Sequence, residues 1–201
     1  MRKVESSAAM TGIILNLQPF VEFSNDQFYE LCRIHQELNF ERTARGELVI
    51  LPLSGGLQGI RIASLIGELG LWNRRSRLGK VFSSTGFILP NGAIRSPCIA
   101  WIPSERWENL TLEQREKFLP FCPDFAIELR SKSDSLPPLQ RKMEKYIENG
   151  LRLGWLIDPK NRQVEIYRQN RDKEVLENCD RLEREDILPG FMLDLSIIWE
   201  E

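Results

Sequence analysis

Several features that define common protein classes are scarce in this chain of 201 residues. Histidine occurs once, as His35, so the sequence supports neither a His-rich zinc site nor a His-based catalytic triad. Long apolar runs are missing too. The patch within residues 13–17 is too short for a signal-peptide core, and no later stretch approaches the length that spans a bilayer. We therefore expect no membrane association.

Positive charge is not in excess, because 27 Lys and Arg residues face 29 Asp and Glu residues, for a net charge of −2. A protein that binds nucleic acid by bulk electrostatics is far more basic, so that class is excluded. The net charge does not exclude a nuclease, because the carboxylates that bind its metal ion offset the charge of its basic residues. The short motifs of nucleotide-binding loops, serine hydrolases and zinc peptidases are all absent.

The cysteines form no CxxC pair, and each lies in or beside an apolar stretch. This pattern favours buried free thiols in a reducing compartment, so we expect a cytoplasmic protein. The four are Cys32, Cys98, Cys122 and Cys179.

The order of predicted elements is helix, hairpin, helix, several strands, helix and strands, which indicates an α/β or α+β fold with a mixed sheet. Helices are predicted after the capping residues Ser24 and Thr111 and over residues 58–77 and 135–149. Long strands are predicted over 81–89 and 93–102. Residues 1–19 are expected to be a flexible leader or N-terminal extension, and residues 20–201 a single domain.

An acidic residue in the middle of an apolar strand is the clearest candidate for chemistry. Over residues 125–130, alternation puts Phe125, Ile127 and Leu129 on one face and Glu128 with Arg130 on the other. Glu128 is then either a metal ligand beside a cation or half of a Glu128–Arg130 ion pair on an exposed face. Asp124 shares that face, but lies roughly 13 Å from Glu128, too far to share one ion.

The following helix supplies a lysine. Lys142 lies about 60–70° from the centre of its apolar stripe, closer than Lys145, so Lys142 is the helix cation best placed to bend over the sheet. A lysine whose stem covers the edge of the core is the alternative.

A basic run lies at the C-terminal end of the second helix. It complements the negative end of that helix or, alternatively, contacts phosphate groups. Its members are Arg74, Arg75, Arg77 and Lys80. Cys98, considered alone, is a small buried residue.

These residues resemble the Uma-type restriction endonuclease family, long catalogued as a family of unknown function. The resemblance runs from about residue 20 to residue 199 and is carried by a combination of stretches rather than by any single one. They are Glu41-Arg42 with Gly46-Glu47-Leu48, RSPCIAWIP, WENLTLEQREKFLPFCPDFAIELRSKSD, LQRKMEKYIENGLRLGWLIDPKNRQVEIYR and Leu188-Pro189-Gly190-Phe191.

The resemblance implies the restriction-endonuclease-like fold of the PD-(D/E)XK superfamily, a central mixed β-sheet flanked by helices. It also implies a site with an Asp at the end of one strand, an acid in the next strand and a nearby lysine. Carried over to this chain, the second-strand acid is Glu128, the lysine is Lys142, and the family's first-strand Asp falls on Cys98. Arg130 stands where related nucleases carry the lysine.

The implied function is a metal-dependent endonuclease that hydrolyses DNA phosphodiester bonds with Mg²⁺ or Mn²⁺. A thiol at position 98 would hold Mg²⁺ poorly, so a catalytically impaired DNA-binding or interaction module is the alternative. Glu41 or Glu47 would be the next candidate metal ligands. Arg74, Arg75, Arg77 and Arg130 are candidate DNA contacts, and a homodimer is expected by analogy with restriction enzymes.

Overall fold

The computed structural model describes residues 12–183 and 185–199. Residues 1–11 of the predicted extension lie outside them. The described helices are α1 (Asn25–Ile34), α2 (Gly56–Ser76), α3 (Ser104–Glu108), α4 (Leu112–Glu116), α5 (Leu136–Glu148) and α6 (Ser196–Trp199). The described strands are β1 (Ile13–Leu15), β2 (Asn39–Arg42), β3 (Leu48–Leu51), β4 (Gly79–Ser83), β5 (Phe87–Ile88), β6 (Ile94–Arg95), β7 (Ile99–Pro103), β8 (Phe125–Leu129), β9 (Leu153–Asp158), β10 (Gln163–Arg168), β11 (Glu174–Glu177), β12 (Arg181–Glu183) and β13 (Met192–Asp194).

A six-stranded mixed sheet forms the centre of the fold, in the order β11-β10-β9-β8-β7-β4. Strands β8 and β9 are parallel, because α5 carries the chain back to the start of the next strand, and the other neighbours are antiparallel. The predicted α+β architecture with a central mixed sheet flanked by helices is confirmed.

Helices cover both faces of this sheet. Leu65 and Leu69 of α2 pack against one face, and Met143 and Tyr146 of α5 pack against the other. Because side chains alternate along β8, Phe125, Ile127 and Leu129 join the α2 side, while Ala126 joins the α5 side. Glu128 therefore projects toward α5.

Five further strands form a second sheet, in the order β1-β3-β2-β6-β5. The two long strands predicted over residues 81–89 and 93–102 were wrong as continuous strands, since each is divided between the two sheets. Ser84 adopts a positive φ of 49°, and Pro97 has no N–H to donate to a ladder, so the chain bends at both places. Cys98 consequently lies at the point where the chain passes from one sheet to the other.

The local signals for helix ends operate as expected. Capping boxes at Ser24 and Thr111 begin α1 and α4. Pro137 and Pro138 are accommodated in the first turn of α5, where missing N–H groups cost little. Residues 13–15, inside the predicted N-terminal extension, form β1 and pair with β3. Within the described part of the chain, no helix is both long and apolar enough to cross a membrane.

Candidate functional site

Glu128 and Lys142 lie in direct contact. Lys142 Nζ is 2.8 Å from Glu128 Oε1, and both side chains are almost entirely buried. Strand alternation put Glu128 on the α5 side, and helical spacing put Lys142 at the inner edge of α5. Glu128 and Lys142, the strand acid and the helix lysine selected from the sequence, therefore lie on the same side of the sheet. The Glu128–Arg130 ion pair, the alternative, does not form.

A second carboxylate holds the same lysine. Glu41, on β2 of the second sheet, is completely buried, and its Oε1 lies 2.9 Å from Lys142 Nζ. Its Oε1 also accepts a hydrogen bond of 2.9 Å from the backbone N–H of Ser96, and its Oε2 accepts one of 2.7 Å from Arg95 Nη1. Lys142 therefore links an acid of one sheet to an acid of the other.

These contacts set the protonation states of the cluster. Burial alone would raise the pKa of Glu41, but Lys142 and Arg95 outweigh it and lower that pKa to about 2. Burial opposes the charge of Lys142, yet Glu128 and Glu41 raise the pKa of its ammonium above the usual value. Glu41 and Lys142 thus both stay charged at neutral pH.

Cys98 lies beside Glu128, as the register of the two strands requires. Ile99 of β7 pairs with Ile127 of β8 in antiparallel register, which sets Cys98 opposite Glu128. Cys98 Sγ is 3.5 Å from Glu128 Oε2, the distance of a thiol donating to a carboxylate. Burial, followed by the nearby charge of Glu128, raises the pKa of Cys98 to about 12, so this side chain is a neutral thiol.

Three contributors to this cluster were missed from the sequence. Helical spacing places Tyr146 in the apolar stripe of α5, but its hydroxyl donates a 3.2 Å hydrogen bond to Glu128 Oε1. A buried tyrosine hydroxyl needs a partner, which is the signal that could have drawn attention to it. Arg95 and the backbone N–H of Ser96 carried no comparable signal, because the second sheet brings them to Glu41.

A pocket of about 710 Å³ opens above this cluster. Its walls come from the start of α2, the loop after β8, the turn before β7 and the inner face of α5. Cationic side chains outnumber acidic ones in its lining: Arg61, Arg95, Lys132 and Lys142 face Glu128 and Asp134. Glu41 and Glu128 balance the charges of Arg95 and Lys142. Arg61 and Lys132 against Asp134 then leave the pocket with a small excess of positive charge.

Other candidate residues lie elsewhere. Glu47 accepts a hydrogen bond from Thr43 within the β2–β3 hairpin and does not line the pocket. Arg130 points to β9, where its Nη1 contacts the buried Asp158 at 2.6 Å. Asp124, at the start of β8, pairs with Arg106.

The basic run is also remote from the pocket. Arg74, Arg75 and Arg77 are exposed at the C-terminal end of α2, whereas residues 56–58 at the other end of this helix line the pocket. A helix of 21 residues is about 30 Å long.

The donor atoms of the cluster do not fit Mg²⁺ or Mn²⁺. Glu41 Oε1 contacts Ser96 N–H and Lys142, and Glu41 Oε2 accepts from Arg95. Glu128 Oε1 contacts Lys142 and accepts from Tyr146. Only Glu128 Oε2 is directed elsewhere, and its neighbour is the soft thiol of Cys98, whereas these cations prefer several hard oxygen ligands. Among residues 12–183 and 185–199, no group of three or more His, Cys, Asp or Glu side chains is arranged as a metal site.

Comparisons with known proteins agree with this architecture. The model of the Uma2 family, described as "Putative restriction endonuclease", matches residues 25–196. A crystal structure described as a putative nuclease belonging to DUF820, from Anabaena variabilis ATCC 29413, superposes with a TM-score of 0.74 at 18% sequence identity. The similarity covers 89% of this chain and 98% of that one, and shows a shared fold. Curated proteins yielded no significant match.

Proposed function

Because this chain belongs to the Uma2 family of putative restriction endonucleases, we propose that it binds DNA with the phosphodiester backbone in the pocket above Glu128 and Lys142. We further propose that Cys98, at the position of the family's Asp, impairs metal-dependent cleavage. The observation that carries the proposal is the concentration of cationic side chains in this pocket. Such a concave positive surface attracts an anionic polymer even when the whole protein is slightly acidic.

The hydrogen-bonding capacity of Lys142 supports contact with phosphate. An ammonium group has three N–H donors, and Glu41 and Glu128 account for two of them. The third can be donated to a non-bridging phosphate oxygen at the floor of the pocket. Glu41 and Tyr146 act as positioning residues, because they hold Lys142 and Glu128 in place through their hydrogen bonds.

The neighbouring Arg95 adds a second charge for the same backbone. Its side chain lines the pocket, and its contact with Glu41 fixes one end of the guanidinium group. A guanidinium has five donors in a planar fork, which suits the oxygens of a phosphate. Lys142 and Arg95 together would therefore fix the DNA backbone in one register.

Binding is tested through its dependence on salt. We expect Lys132→Ala to weaken binding of a fluorescent DNA duplex in EDTA and to reduce the slope of log K against log salt by about 0.9, because one phosphate contact is lost. Lys132 is exposed and lines the pocket, so its removal leaves the buried cluster intact.

Lys145→Ala is the matched control, because Lys145 is an exposed residue of the same charge on α5 and pairs with Glu148 outside the pocket. It should leave the slope unchanged. Equal slopes for all three proteins, or no binding by the parent, would contradict the proposed use of this pocket.

An active metal-dependent endonuclease is the second candidate, and the contact between Glu128 and Lys142 favours it. A plasmid-nicking assay with Mg²⁺ or Mn²⁺ separates the two candidates. Nicking that is lost in Glu128→Gln would establish the active enzyme and overturn the proposed impairment. The absence of nicking, with DNA binding retained, is the result we expect.

We also propose that the protein is cytoplasmic. Its four cysteines form no disulfide bond, which is typical of a reducing compartment. The homodimer expected by analogy stays a prediction, and sedimentation of the free protein measures it.

A further inference from the structure

The buried cluster below the pocket is balanced in charge without a metal ion. Glu41 and Glu128 contribute two carboxylates, and Lys142 and Arg95 contribute two cations. Isolated charges in a protein interior cost several kcal/mol, so carboxylates buried to this extent require counter-charges. Here the counter-charges are side chains of the chain itself.

The ammonium group of Lys142 bridges the two carboxylates of this cluster. Lys142 Nζ lies 2.9 Å from Glu41 Oε1 and 2.8 Å from Glu128 Oε1, so one positive centre joins two carboxylates from different sheets. A divalent cation entering between the same oxygens would meet the positive charge of Lys142 at close range.

We infer that Lys142 is the permanent counter-ion of this site, so that the folded chain neither needs nor retains the divalent cation on which related nuclease chemistry depends. The inference deepens the proposed function by stating how its impaired site is stabilised, and it relies on that proposal only for the site's relation to DNA.

Cys98 preserves this balance. A neutral thiol beside Glu128 Oε2 adds no charge, whereas a carboxylate there would leave the cluster with one unpaired negative charge. It would also place two hard oxygen ligands side by side, and these could hold a divalent cation together. The residue at position 98 thus decides whether the site is complete with Lys142 alone.

The test compares melting temperatures in EDTA and in Mg²⁺ or Mn²⁺, without DNA. We expect the parent to melt at the same temperature in all three conditions. Cys98→Asp should melt lower than the parent in EDTA and regain stability as Mg²⁺ is added, because a ligand that binds only the folded state stabilises it by mass action. Cys98→Asn, similar in shape but uncharged, should show no response to Mg²⁺.

A second pair of variants protects the test against a Cys98→Asp protein that fails to fold. Lys142→Met removes the internal counter-ion, so its melting temperature should rise with Mg²⁺, while Lys145→Met on the same helix should not respond. A saturable rise in the melting temperature of the parent with Mg²⁺ would overturn the inference, as would Lys142→Met without any response.

The outcomes also separate this inference from the proposed function. A parent indifferent to Mg²⁺ that fails to bind DNA would support the counter-ion and contradict the DNA proposal. A parent protein that is stabilised by Mg²⁺ and binds DNA would contradict the counter-ion inference and support the DNA proposal.

Discussion

Lys142 and Glu41 show how a single residue acquires its properties from partners distant in sequence. Lys142 comes from α5, Glu41 from β2 and Glu128 from β8. A carboxylate oxygen of each acid lies within 2.9 Å of Lys142 Nζ. Removal of any one leaves the others buried with excess charge. Such losses typically cost about 3–5 kcal/mol of stability.

Protonation of Glu41 should make the protein sensitive to acid. The folded-state pKa of Glu41 is about 2, below its ordinary value of 4.5, so the unfolded chain takes up this proton first as the pH falls. The stability that Glu41 contributes is therefore complete above about pH 4.5 and declines progressively toward pH 2. Urea unfolding between pH 6 and pH 3 should show a smaller loss for Glu41→Gln than for the parent.

Glu47→Gln is the control for this experiment, because Glu47 lies in the hairpin outside the cluster. Its unfolding free energy should follow the parent's pH dependence. If Glu41→Gln follows it too, Glu41 is not the group whose protonation weakens the fold.

At the scale of elements, α2 joins two different environments. Its first turn lines the pocket, and its last turn carries Arg74 and Arg75, which lie where the helix dipole favours positive charge. Replacing Arg74, Arg75 and Arg77 with alanine should lower the free energy of unfolding by about 0.3–1 kcal/mol for each charge lost at the helix end.

The triple variant Arg74→Ala, Arg75→Ala, Arg77→Ala also tests the remaining DNA prediction. Since the basic run lies about 30 Å from the pocket end of α2, we expect a short duplex held in the pocket to bind with an unchanged salt slope. A slope reduced by about 0.9 for each lost contact would mean that the DNA backbone extends along α2.

Strand β4 depends on a glycine where it meets β7. A Cβ at Gly79 would overlap the backbone oxygen of Ile102 and the ring of Trp101, so β4 would have to move. Gly79→Ala should therefore destabilise the protein by about 1–3 kcal/mol, measured by urea unfolding. Gly67→Ala is the control. Outside the chain neighbours of Gly67 and the nearby backbone of α2, no atom lies within 4 Å of the added carbon, so this change should stabilise the protein by about 0.5–1 kcal/mol.

At the scale of the whole molecule, the candidate site lies where two sheets approach one another. The six-stranded sheet supplies Glu128, the second sheet supplies Glu41 and Arg95, and α5 places Lys142 between them. The bend at residues 96–98 carries the chain from one sheet to the other, and Cys98 lies at its end. The pocket is thus a property of the assembled fold and of no single segment.

Much of this arrangement was determined by the sequence itself. Alternation along β8 and the helical spacing of α5 are local periodicities, so the common side of Glu128 and Lys142 could be predicted from them. Capping residues likewise marked the starts of α1 and α4, and the order of elements indicated the mixed sheet. The resemblance to the family added the comparison that draws attention to Cys98.

Only the tertiary structure decided which charges meet. Glu41 and Lys142 are separated by a hundred residues, and nothing in local periodicity states that their heads are 2.9 Å apart. The same holds for Arg130, which pairs with Asp158 on the neighbouring parallel strand rather than with Glu128 two residues away. Ion pairs depend on distances of a few ångströms between side-chain ends, and those distances follow from the packing of sheets and helices rather than from spacing along the chain.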